Sequence, residues 1–300
     1  MRIVSLLPSA TEITYALGLE DQLLGVTFEC DEPPRARQQK EIIVGGMNTA
    51  GMPPAEIDTV VRRRLAAGED LYTLDAGALS VLQPELILTQ DLCRVCAVPT
   101  DTVRDAAEQL GCRADVVTLD PYSLDDVLDS IGDVARATGV VERGEKLIND
   151  LRKRLDRVAD AVHRLTRPRV ALIEWVDPPF GAGHWMPDMI TGAGGEPVAC
   201  RPRQRSVPIS WDDIAAADPQ IMVISPCGYG LDGAAEQATK IINDPAIMER
   251  FPDAEVWAID ADGLVVRPGP RLIDGVEAMA EIIHPGVVPQ PRTPAIRRLR

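Results

Sequence analysis

Leu82-Gln83-Pro84-Glu85-Leu86-Ile87-Leu88-Thr89-Gln90-Asp91-Leu92-Cys93 has a counterpart in the second half of the chain, Ala217-Asp218-Pro219-Gln220-Ile221-Met222-Val223-Ile224-Ser225-Pro226-Cys227. Each copy has a helical approach, a proline that ends the helix, an apolar run of strand length and a polar loop leading to a thiol. The repetition predicts two lobes of one architecture, whose corresponding loops can face each other across a cleft. A length of 300 residues favours about two domains and allows a sizeable core.

Outward from the two copies, short continuous apolar runs predict strands over residues 3–7, 24–28, 42–44, 86–89, 116–119, 170–175, 221–225 and 256–259. Runs of this kind suit parallel strands covered on both faces. Helical periodicity fills many of the gaps, at 9–17, 55–66, 102–110, 124–138, 211–217 and 273–283. The fold class is therefore α/β, with two Rossmann-like lobes built on parallel sheets. Residues 140–165 break the rhythm, because Leu147, Leu151, Leu155, Val158, Val162 and Leu165 form one long helical stripe. This segment predicts a single connecting helix. The expected domains are 1–138 for the first lobe, 139–167 for the connector, 168–288 for the second lobe and 289–300 for a basic, disordered tail.

The formal net charge of -15 argues against binding nucleic acid or an anionic lipid surface, which call for a basic face. No run approaches the roughly 20 apolar residues of a membrane helix, so membrane insertion is not expected. Residues 2–7 already read as a core strand with no leader before them, which predicts a cytoplasmic protein, or an extracytoplasmic one if a leader has been removed. In the cytosol the six cysteines would be reduced and are read first for metal or redox chemistry.

Ligands of open α/β sheets bind beyond the carboxyl ends of the strands, and the loops there are rich in functional side chains. Ser9 and Glu12 lie in the first. Trp175, His184, Trp185 and Tyr229 offer aromatic platforms and an imidazole, while Arg267 and Arg271 flank Pro-Gly-Pro and suit carboxylates, amides or phosphate. Cys30, Cys93, Cys96 and Cys227 fall on the same predicted rim. Four converging thiolates would hold zinc or an iron–sulfur cluster. Nucleotide-binding, hydrolase and metalloprotease signatures are missing from the sequence, so catalysis is not called for.

Arg2-Ile3-Val4-Ser5-Leu6-Leu7-Pro8-Ser9-Ala10-Thr11-Glu12, followed by Tyr15-Ala16-Leu17-Gly18, resembles the opening of class III substrate-binding proteins, which deliver vitamin B12, haem and ferric siderophores to ABC importers. Glu29-Cys30-Asp31, Asp91-Leu92-Cys93-Arg94-Val95-Cys96, Gly183-His184-Trp185, Cys227-Gly228-Tyr229 and Arg267-Pro268-Gly269-Pro270-Arg271 are similar to motifs of its cobalamin-binding branch, in a group without a secretion signal. The resemblance implies a small-molecule binder that holds a corrinoid, such as cobalamin, or a related metal chelate in an inter-lobe cleft. An ABC importer is then the expected partner only if a leader has been removed. A Cys-ligated metalloprotein on the same scaffold, as a sensor or an enzyme, remains the alternative.

Overall fold

Apolar runs without alternation are stable as strands only where helices cover both faces. The computed structural model, which describes residues 1–47, 49, 51–91, 100–109, 114–289 and 294–300, places them in two sheets. One compact unit comprises Met1–Pro121 and Asp125–Asn149, the other Tyr122–Leu124 and Asp150–Arg300.

The first unit holds β1 (Ile3–Ser5), β2 (Leu23–Thr27), β3 (Glu41–Gly46), β4 (Tyr72–Leu74), β5 (Leu86–Thr89) and β6 (Asp115–Thr118). They are ordered β4-β3-β2-β1-β5-β6, all parallel to their neighbours except β4, which runs antiparallel to β3. The second unit holds β7 (Arg169–Val176), β8 (Pro179–Gly181), β9 (Glu196–Pro197), β10 (Ile221–Ile224), β11 (Glu255–Ile259) and β12 (Ile296–Arg298). Their order is β12-β11-β10-β7-β8, with β9 also on β7; β8 and β12 are antiparallel. Both sheets are thus mixed, with the expected parallel strands inside and antiparallel strands at edges.

The repeated pattern is a repeat of backbone as well. Gln83 and Asp218, each just before its proline, both adopt left-handed φ, +44° and +47°. Proline disfavours the right-handed helical region for the residue before it, and a left-handed residue is a common way for a helix to end. The following strands, β5 and β10, then pair with the first strand of their units: Ile3 lies opposite Leu86, and Val170 opposite Ile221. Every residue of β5 and β10 is buried. Each such aliphatic side chain contributes about 1.5–3 kcal/mol on burial.

The helix Val141–Val162 has 22 residues, and the division between units falls inside it. In the first unit, Arg143 donates to the carbonyls of Leu17 and Gly18 (3.2 and 3.3 Å) and so caps the helix Pro8–Ala16. In the second unit Leu151, Val158 and Val162 are buried, and Arg154 grips Glu277 and Asp274 of the helix Leu272–Ile283.

The basic tail is corrected by the structure. Residues 290–293 lie outside the described residues, but Ile296–Arg298 forms β12 instead of a disordered end. Its arginines serve the edge: Arg297 pairs with Asp232, Arg298 with Glu255 and the Trp257 ring, and Arg300 with the Phe251 carbonyl. A charged outer edge on a short strand also blocks further strand pairing.

Candidate functional site

The carboxyl ends of the second sheet carry a hydrogen-bonded set of loops. Trp175, near the end of β7, is half-buried; its indole N–H donates to the Asp177 carbonyl (3.1 Å) and its ring meets Tyr229 edge-on, with centroids 6.0 Å apart. Tyr229 follows β10, after exposed Cys227 and Gly228, whose φ of +80° suits glycine. Its carbonyl accepts from the backbone N–H of Asp262, in the helix Ala261–Leu264 that follows β11. Arg267 pairs with Asp262 at 2.6 Å. Trp185 joins the same region by donating its indole N–H to the Val265 carbonyl (2.8 Å).

His184 follows β8 through Ala182 and Gly183. The loop 199–206 lies alongside: Arg201 N–H donates to Ala182, His184 N–H to Gln204 and Arg203 N–H to His184 (2.8, 2.7 and 3.2 Å). A Cβ on Gly183 would stand 2.5 Å from the Ser206 nitrogen and 2.6 Å from the Gln204 oxygen, so only glycine allows this approach. His184 itself is left-handed, with φ +48°. Its ring lies between Tyr122 and Trp185, at 5.7 and 5.5 Å.

His184 is 8% exposed, and its Nε2 has no hydrogen-bond partner among the described residues. Burial, with the Arg205 charge adding to it, lowers its pKa to about 4. The imidazole is therefore neutral at pH 7, the form that ligates metals and accepts hydrogen bonds.

Other candidates sit differently. Trp185 is 3% exposed and serves the core more than a ligand surface. Ser9 and Glu12, in the helix Pro8–Ala16, are 2% and 6% exposed and present little surface. Arg271 stands just before Leu272–Ile283, makes no capping side-chain hydrogen bond there, and brings its guanidinium close to Gly263. Cys30 follows β2, yet its thiol is fully buried: the Thr11 hydroxyl donates to Sγ (3.1 Å), and the Thr27 N–H and hydroxyl lie at 3.4 and 3.2 Å. Cys93 and Cys96 lie outside the described residues, and Cys227 belongs to the other unit from Cys30. No group of three or more metal-ligating side chains occurs among the described residues.

Sequence reasoning missed Tyr122, Glu174 and the loop arginines. Tyr122 follows β6 and was open to the same strand-end rule. Glu174 accepts from the Ser206 hydroxyl and helps fix the loop. Arg201, Arg203 and Arg205 stand out as a basic run in an acidic chain.

A family model of periplasmic binding proteins matches residues 3–249. The chain belongs to this family. One relative in the family's range is an uncharacterized ABC transporter substrate-binding lipoprotein of Bacillus subtilis, 26% identical over 292 residues, covering 95% of this chain and 80% of the relative. The vitamin B12-binding protein of Vibrio cholerae is 26% identical over 279 residues, covering 92% of this chain and 86% of its own. Among solved structures, a periplasmic heme-binding protein from Pseudomonas aeruginosa gives a TM-score of 0.71 at 22% identity, over 99% of this chain and 97% of that one. These likenesses bear out the two-lobed α/β reading and the family resemblance. Because the relatives include a lipoprotein, the cytoplasmic expectation gains no support. Among the described residues, no helix is long and apolar enough to cross a membrane.

Proposed function

We propose that the chain is the ligand-binding component of an ABC-type importer, and that its ligand is a flat metal chelate of the corrinoid or porphyrin class, cobalamin being the first candidate. Membership of the binding-protein family supports binding over catalysis. The observation that carries the chelate reading is His184, a buried neutral imidazole with an unpartnered Nε2 beside aromatic rings. In this reading Trp175 and Tyr229 offer faces to the macrocycle, Arg267 and Arg271 bind its amides or carboxylates, and His184 approaches the metal or a ring substituent. The vitamin B12-binding relative favours cobalamin among such ligands. The thiols stay outside the proposal, because Cys30 is already engaged by Thr11 and Thr27.

The test is direct. All four tryptophans, Trp175, Trp185, Trp211 and Trp257, lie in the second unit, so its fluorescence reports events there. Titration with cyanocobalamin and with iron(III) protoporphyrin IX should give saturable quenching and a raised melting temperature with at least one of them. No response to either at high micromolar concentration refutes the reading.

A further inference from the structure

The proposed contact at His184 poses a problem of access. Its Nε2 has no hydrogen-bond partner among the described residues, yet the atom is fully buried, so a ligand cannot meet it unless a neighbour moves. Two aromatic rings flank the imidazole: Tyr122, tilted by 42° with centroids 5.7 Å apart, and Trp185, tilted by 34° at 5.5 Å. His184 itself is held by its backbone. Its N–H donates to the Gln204 carbonyl (2.7 Å), its carbonyl accepts from the Arg203 N–H (3.2 Å), and its left-handed φ of +48° lies in a narrow allowed region.

The two rings differ in how firmly they are placed. Trp185 is 3% exposed, donates its indole N–H to the Val265 carbonyl (2.8 Å) and stands at the start of the helix Met186–Gly192. Displacing it would open the core and break a buried hydrogen bond. Tyr122 is only half-buried. It comes from the short segment Tyr122–Leu124, which belongs to the second unit, while Met1–Pro121 and Asp125–Asn149 on either side belong to the first. The segment is tied at its far end, where the Leu124 N–H donates to Asp188 Oδ2 of the same helix (3.1 Å). A half-buried side chain two residues from that tie turns at far lower cost than a core indole.

We infer that Tyr122 is a movable cover over His184 Nε2, and that a ligand reaches this nitrogen by turning the phenol ring aside. The cover itself stands on packing alone; its part in ligand entry rests on the reading of His184 as a ligand contact. Closed, the ring keeps water from the imidazole. Open, it exposes a nitrogen ready to meet a metal or accept a hydrogen bond. The rate of ligand capture then depends on how readily the cover opens, apart from how well the ligand fits.

Diethyl pyrocarbonate, which acylates accessible neutral imidazoles, reads the cover without any ligand when followed by peptide mass mapping. The chain has three histidines, and exposed His163 and half-buried His284 serve as internal references. In the variant Y122A, His184 should react about tenfold or more faster than in the native protein, with His284 unchanged to within about twofold. An unchanged His184, or a parallel rise at His284 that reports general loosening, overturns the cover. Should Y122A not fold, the native protein decides. Below the urea transition its His184 modification should be almost independent of urea, as for a local opening, whereas a dependence as steep as that of global unfolding overturns the cover. Stopped-flow tryptophan quenching by cyanocobalamin and by iron(III) protoporphyrin IX tests entry. Association of whichever ligand quenches should be about fivefold or more faster in Y122A, and equal rates overturn the role in entry. A His184 that Y122A exposes and neither ligand protects leaves the cover standing and refutes the ligand contact.

Discussion

Replacing His184 by Asn should remove a specific sensitivity to acid. In the folded protein burial lowers the imidazole pKa from 6.5 to about 4. Between these values the unfolded chain takes up a proton that the folded chain refuses, so stability falls as pH falls through this window. The associated stability is fully present above pH 6.5 and lost as pH passes through about 4. With these two values, going from pH 7.5 to pH 4.5 costs the folded state about 2.5 kcal/mol from this residue alone. Asn is the substitution of choice because it tolerates the left-handed φ of +48° and does not titrate. Urea unfolding followed by tryptophan emission isolates the second unit, which holds every tryptophan. Carboxylates titrate in both proteins, so the relevant quantity is the native loss minus the variant loss, expected at about 2.5 kcal/mol. Parallel pH profiles, agreeing to within about 0.5 kcal/mol, would refute the account of a buried neutral imidazole.

Three further outcomes are expected. Arg154→Met removes the partner of Glu277 (2.9 and 2.6 Å) and of Asp274, and should lower the stability of the second unit by about 1–2 kcal/mol after allowance for solvent screening; an unchanged urea midpoint contradicts this. Gly275→Ala drives a Cβ into the Leu264 carbonyl and to 2.7 Å from the Met189 methyl, and should cost about 2 kcal/mol or more, whereas Gly192→Ala, with Val276 at 3.7 Å, should be neutral to within about 1 kcal/mol; the reverse order would show the packing to be misread. Alkylation of the native protein followed by peptide mass mapping should modify exposed Cys227 before half-buried Cys200, whose thiol pKa is raised by burial, and should reach buried Cys30 only on unfolding.

The strands that the sequence pattern reveals and those it hides differ in a physical way. The eight predicted runs all become strands; β1, β5 and β10, buried along their whole length, are apolar or nearly so for that reason. The strands it misses, β4, β8, β9 and β12, have two or three residues each and lie mostly at edges, where Pro179, Gly181, Pro197, Arg297 and Arg298 are acceptable. Arginines and prolines after residue 289 read as disorder because composition carries no information on the carboxylates Asp232 and Glu255 that wait for them. The site shows the same division. Strand-end loops offer Trp175, His184, Tyr229 and Arg267 as candidates, but spacing does not tell a ring on the surface from one in the core, where Trp185 lies. The sequence offers His184 only as a residue type; its burial and its unpartnered nitrogen are set by packing.

The two copies of the opening pattern finally separate architecture from chemistry. They agree in the left-handed residue before proline and in a buried strand pairing with the first strand of the unit. They disagree in what the neighbouring loops hold. In the first unit Ser5, Thr11, Thr27 and Cys30 form a buried, hydrogen-bonded group of hydroxyls and a thiol. In the second unit the loop after β8 leaves His184 Nε2 buried and unpartnered among the described residues, beside the rings of Tyr122 and Trp185. A buried polar group without a partner is costly, so an unpartnered imidazole is a place where a ligand can supply the missing contact. The duplicated pattern therefore accounts for the frame, while the proposed ligand contact at His184 comes from a loop outside it.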